Sequence, residues 1–137
     1  MILVDNQIKK LVKDGTIKIE NYSEDSVQPA SYDMRIGNEV FITTARQVID
    51  LTKNGGRFTI EPSAVAMVGT YELLELPKNI IGRPGLRSGL ARQGLFPSIG
   101  IQADPGFKGR FFINLINLTS LPISLDYLDP FLSIEFN

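Results

Sequence analysis

The sequence predicts a mainly β domain, and three observations carry that prediction. Short runs of alternating apolar and polar residues recur roughly every 8–12 positions from Val27 to Phe136. Glycine, proline and asparagine cluster between these runs, where turns are needed. Helical spacing of apolar residues is clear in one short segment near the N-terminus. At 137 residues, with 43% hydrophobic and 21% charged residues, the chain fits one domain, 1–137, with a core of its own.

Asp5 to Asp14 reads as the helix. Asp5 stands where a cap belongs, Ile8, Leu11 and Val12 share one face, and Gly15 stops the run. Thr16 to Glu20 (TIKIE) alternates as a strand does, and Asn21 to Ser26 is polar and loop-like. VQPASYDMRIG is read as a strand ending in a turn at Gly37-Asn38, with EVFITT the next strand. Asn54-Gly55-Gly56 is a turn signal before RFTI. AVAMVGTYELLELP is a strand pair or one bent strand, with Gly69 a candidate bulge. RFFINLINL, PISLDY and PFLSIEF close the chain, divided at Thr119-Ser120 and at Leu128-Asp129-Pro130. A sandwich, jelly roll or barrel accommodates this pattern. RFFINLINL carries bulky residues on both faces, which fits burial in a core and against neighbours.

Neither cysteine nor histidine occurs. Disulfides, cysteine and histidine nucleophiles, Ser-His-Asp triads and His/Cys zinc chemistry are therefore excluded. Acid–base work falls to carboxylates, lysine, arginine, tyrosine and serine. No apolar run approaches membrane-spanning length, and the N-terminus does not read as a signal peptide. A cytoplasmic protein with no membrane or nucleic-acid partner is expected.

Charge is uneven. Arg83 to Arg110 holds five of the fourteen basic residues and one acid, Asp104, in a chain of net charge −1. Arginine forks on loops suit phosphate oxygens, although a glycine-rich surface loop with solvated charges has the same composition. Within it, Arg87 to Gln93 (RSGLARQ) has room for one or two helical turns. Ser88 there is either a simple cap or a hydroxyl facing an anion. No GK[ST] follows, so this is not a triphosphatase P-loop. Asp104-Pro105-Gly106 is what a type II turn requires, so Asp104 either organises a hairpin or serves as a general base on a rigid turn.

Three phrases in order, QPASYDMRIG (28–37), RSGLARQGL (87–95) and DPGFKG (104–109), resemble the trimeric dUTPase and dCTP deaminase superfamily. MILVDNQIKKLVKDGTIKI also looks like the opening of a dCTP deaminase. The resemblance implies a distorted jelly-roll β-barrel with a short N-terminal helix, assembled as a homotrimer with sites at subunit interfaces, and a dUTP- or dCTP-type deoxynucleotide as ligand. It places Arg87, Ser88, Gly89 and Arg92 on the phosphates and Asp104 on the water that attacks the α-phosphate. Phe107 and Gln102 fall at the sugar and base positions, with Phe107 leaving little room for a 2′-hydroxyl. Asp33 matches an aspartate supporting the metal and water site, and Mg²⁺ would arrive on the triphosphate rather than on direct protein ligands.

Two positions depart from the family pattern. Asn114 stands where the deaminases carry a proton-relaying glutamate, and no Asp or Glu occurs between Lys108 and Leu125 to replace it. Ser133 falls near the family's phosphate-contacting glutamine. Neither the glycine-rich C-terminal lid of dUTPases nor the deaminase extension follows Ile134-Glu135-Phe136-Asn137. The reading that results is a Mg²⁺-dependent dUTP diphosphatase giving dUMP and pyrophosphate, with deamination disfavoured. Two alternatives stand beside it: a non-catalytic nucleotide-binding relative, and a dCTP deaminase despite Asn114.

Overall fold

One strand, Ser31–Ile42, organises the computed structural model, which describes residues 1–137. The elements run α1 (Asp5–Lys13), β1 (Lys18–Glu20), a 3₁₀ turn (Glu24–Ser26), β2 (Val27–Gln28), β3 (Ser31–Ile42), β4 (Gln47–Asp50), β5 (Arg57–Ile60), β6 (Val65–Thr70) and β7 (Leu73–Glu75). Then follow β8 (Gly82–Leu86), α2 (Ser88–Arg92), β9 (Leu95–Ser98), β10 (Lys108–Gly109), β11 (Phe112–Asn117), β12 (Ile123–Asp126) and β13 (Pro130–Phe136). The main sheet has the order β8-β13-β3-β6-β11-β9, with β2 and β4 also on β3. Two small sheets, β1-β7-β10 and β12-β5, complete a distorted jelly-roll barrel. Every pairing is antiparallel. No helix is long and apolar enough to cross a membrane.

The inward residues of β3, β6, β11 and β13 form one continuous core, with Tyr32, Phe131 and Phe136 its largest fully buried side chains. Burial of each such side chain is worth about 1.5–3 kcal/mol. β11 shows why its sequence is apolar on both faces. Ile113 and Leu115 point into the core, while Phe112 faces outward and is 61% exposed. Met67, Phe96 and Val48 share that exposed outer surface.

Where backbone geometry decides, the structure matches the local sequence signals. Gly15 takes φ +83 just past α1, and its N–H bonds the carbonyl of Val12. Gly55 and Gly56 both have positive φ. The N-cap of α1 is Val4 rather than Asp5, and its amide is satisfied by Gln7 Oε1 at 2.9 Å. Two glycines have roles other than those expected. There is no turn at Gly37-Asn38, because β3 runs straight through them. The extra residues of a register shift lie here, between Ile36 and Val40 opposite β6. Gly37 is needed for close approach: a Cβ there would sit 3.0 Å from the carbonyl oxygens of Gly69 and Thr70. Gly69 lies opposite the irregularity rather than forming it, and the Phe112 ring rests on it.

A polar group lies deep in this apolar barrel. Glu72, between β6 and β7, is 0% exposed. Its Oε1 accepts the Arg35 amide at 2.9 Å, and its Oε2 accepts Arg35 Nε at 2.9 Å and the Tyr32 hydroxyl at 3.2 Å. Burial pushes the Tyr32 phenol up to about 12 from its ordinary value near 10.

Two predictions follow from these contacts. Gly37→Ala is expected to cost about 1–3 kcal/mol, read as a lower urea midpoint, because only backbone atoms face the new methyl. Gly85→Ala, with nothing within 4 Å of the added carbon, stays within about 0.5 kcal/mol. The raised Tyr32 pKa makes stability fully present below pH 10, with loss as pH rises from 10 through about 12. Denaturant midpoints across that range check this, and Tyr32→Phe removes the dependence that this residue contributes.

Candidate functional site

Four expected phosphate residues come together because a strand hands the chain to a single helical turn. β8 ends at Leu86, the Arg87 amide bonds the Phe131 carbonyl at 3.0 Å, and α2 starts at Ser88. Arg87 is its N-cap, with its own carbonyl accepting from Leu90 and Ala91. Arg87, Ser88, Gly89 and Arg92 line one depression, together with Leu90, Gln93 and Pro130. Arg92 takes part in none of the ion pairs of the molecule. Two guanidinium groups and a hydroxyl around an open hollow suit an oligophosphate.

Asp33 meets this hollow at Arg87, and Ser133 lines a neighbouring depression with Arg83, Gly85 and Leu86. Asp33 is 5% exposed; its Oδ1 accepts the Ser133 hydroxyl at 2.7 Å and its Oδ2 lies 3.3 Å from Arg87 Nε. Both carboxylate oxygens are thus engaged within the protein. Asp33 links the Ser133 hydroxyl to the Arg87 guanidinium.

The second part is the hairpin. Gly106 has φ +82 and the Phe107 amide bonds the Asp104 carbonyl at 3.0 Å, closing the turn expected from Asp-Pro-Gly. Gln102 Nε2 donates to Asp104 Oδ1 at 3.2 Å. Asp104 itself is exposed. Phe107 stacks on Phe111 with ring centroids 5.1 Å apart. Asn114 forms a third part, on the outer face of β11 between Phe112 and Ile116, opposite Met67 and Ser98.

Within one chain these parts stay separate. The hairpin is anchored where Ala103 bridges Gly82. At a strand rise of roughly 3.3 Å per residue, Arg87 lies on the order of 16 Å further along β8. No hydrogen bond or ion pair joins Asp104 to the phosphate hollow. No group of three or more Asp or Glu side chains gathers to hold a cation. Sequence reasoning missed Arg35 and Glu72, although a glutamate beside the apolar run of AVAMVGTYELLELP was the available signal.

Comparisons with known proteins bear directly on these parts. A family described as "dCTP deaminase-like" matches residues 2–127. The dCTP deaminase of Thermococcus kodakarensis is 38% identical over 136 residues, 99% of this chain and 82% of that protein. That of Pyrococcus horikoshii is 38% identical over 136 residues, 99% of this chain and 81% of that protein. The structure of 2′-deoxycytidine 5′-triphosphate deaminase from Agrobacterium tumefaciens superposes with a TM-score of 0.82 at 22% identity, covering 98% of this chain and 47% of that one.

The expected dUTP diphosphatase is corrected by these findings, since the relatives similar over almost the whole chain carry the name dCTP deaminase. That expectation rested on Asp104, Ser88 and Arg87, residue types that suit a nucleoside triphosphate without by themselves selecting α-phosphate hydrolysis. Disfavouring a deaminase rested on Asn114 alone, against similarity spanning nearly every residue. From residue 2 to residue 127, and on relatives similar along almost its full length, the chain belongs to the dCTP deaminase-like family.

Proposed function

We propose that this chain binds dCTP and catalyses its hydrolytic deamination to dUTP and ammonia. The observation that carries the proposal is the single hollow lined by Arg87, Ser88, Gly89 and Arg92, in a chain 38% identical to dCTP deaminases. The hollow takes the triphosphate, with Asp33 aligning the Arg87 fork. Mg²⁺ would be held by the phosphate oxygens and would offset their charge. Phe107 packs against the deoxyribose and Gln102 supports the hairpin carrying it. In the reaction, water loses a proton as its oxygen bonds C4 of cytosine, and the amine leaves as ammonia after gaining one. Asn114 can hold water or base by hydrogen bonds but cannot carry a proton near neutral pH. Asp104 is the carboxylate of the three-part site left for that transfer.

The reading also takes the site to be shared between copies, in a homotrimer whose hairpin and phosphate hollow come from neighbouring subunits. Separation of the two parts in one chain supports this, as does the exposed apolar surface of Val48, Met67, Phe96 and Phe112. A second reading, nucleotide binding without turnover, is favoured by one observation: the amide of Asn114 in place of a carboxylate.

Incubation with dCTP and Mg²⁺, followed by measurement of ammonia and dUTP, separates the readings. Turnover is expected, with a loss of about 100-fold or more in Asp104→Asn. Arg87→Ala is expected to weaken dCTP binding by about 1.5–3 kcal/mol. Saturable dCTP binding without ammonia, together with ammonia release on Asn114→Glu, would select the non-catalytic reading. Absence of dCTP binding would sink both.

A further inference from the structure

Glu72 and Arg35 touch none of the residues assigned to the nucleotide, yet each lies one short step from a different part of the site. A carboxylate buried to 0% exposure is costly unless fully paired, and this one is paired three ways, twice by Arg35 and once by Tyr32. Arg35 is held in turn. Its guanidinium donates to the Asn21 carbonyl at 2.6 Å and lies over the Tyr71 ring, 4.9 Å from the centroid. Burial is the largest single influence and works against its charge, but the Glu72 hydrogen bond and the nearby negative charge of Glu72 together outweigh it, raising the guanidinium pKa above its ordinary value.

The connections beyond the pair are directional. Arg35 sits on β3 two residues past Asp33, which backs the Arg87 fork. Glu72 begins the segment from which the hairpin hangs. Its carbonyl accepts the Thr70 hydroxyl at 2.8 Å, and Thr70 is tied to Phe111 by a backbone bond of 2.9 Å and by the Phe111 amide on its hydroxyl. Leu74 and Glu75 pair with Gly109 and Lys108. The Leu76 amide bonds the Phe107 carbonyl at 2.8 Å, and the Gly106 amide bonds the Pro77 carbonyl at 3.0 Å. From Gly106 to Phe111, the hairpin is held by residues 70–77.

We propose that Glu72 is a positioning residue: through Arg35 it sets where the nucleoside-facing hairpin stands relative to the phosphate hollow. The inference rests on the nucleotide reading given above. It holds whether the two parts serve one nucleotide or two neighbouring nucleotides of an oligomer, because either way their separation is set within one chain. A hydrophobic pair of similar volume would stabilise the core as well, but would not fix direction as a forked, charge-assisted contact does.

The test compares two ligands on folded protein. Affinities for dCTP and for inorganic tripolyphosphate are measured by calorimetry for the wild type and for Glu72→Gln, with Arg35→Lys as the second variant should the first fail to fold. Lysine keeps the charge but lacks the fork. Tripolyphosphate affinity is expected to stay within about twofold, while dCTP affinity falls about tenfold or more, since small displacements of a positioned group are costly. A general loss of stability would lower both affinities together. Equal loss for both ligands, or no loss for either, overturns the proposal. Failure of the wild type to bind dCTP at all overturns the nucleotide reading itself, and the inference with it.

Discussion

A carboxylate can remain inside this barrel only because Arg35 and Tyr32 meet it there. That requirement shapes much of the surrounding structure. β3 changes partners around Arg35, pairing with β13 up to Arg35, with β6 at Ile36 and again from Val40, and with β4 from Glu39. The register shift between Ile36 and Val40 falls at this exchange, and Gly37 lets the strands approach there. Replacing the ion pair by apolar side chains would keep a core, but would remove the direct contacts between Arg35 of β3 and Glu72 beside β7.

The same strand carries the phosphate end of the site. Tyr32 and Met34 are buried in the core, while Asp33 turns to Ser133 and Arg87. A buried acid beside an exposed arginine limits the freedom of a long side chain before any ligand arrives, which lowers the entropy lost on binding. The hairpin gains its rigidity by another route. A type II turn with Gly106 at positive φ fixes its tip, and backbone bonds to residues 76 and 77 fix its base. Both halves are therefore ordered within a single chain, although they are not brought together by it.

Legibility in the sequence followed the range of the interaction. The helix ending at Gly15, the turn at Asn54-Gly55-Gly56 and the turn at Asp104-Pro105-Gly106 depend on a few adjacent residues, and all were readable. Gly37 and Gly69 were misread because the same absence of a side chain serves a turn, a bulge or a close contact. Only the neighbour decides, and here the neighbours are the Gly69 and Thr70 carbonyls and the Phe112 ring. Functional reading shows the same division. The phosphate residues were legible as a local run, RSGLAR, within a basic stretch. Activity is not legible from Arg87, Ser88, Asp104 and Asn114 taken singly, because the similarity that assigns the family is distributed along the whole chain.

By itself, the sequence determined the β-rich class, the short helix, the turn chemistry and the absence of thiol and imidazole chemistry. Each follows from side-chain inventory, periodicity or backbone preference, all local properties. Only the tertiary structure decided that Asp33 spends both oxygens on Ser133 and Arg87, and that Glu72 is buried against Arg35. It also decided that Asp104 lies away from the phosphate hollow. These depend on contacts between residues 37 to 100 positions apart, or on the path of a strand between them. No local pattern specifies such partners; packing does.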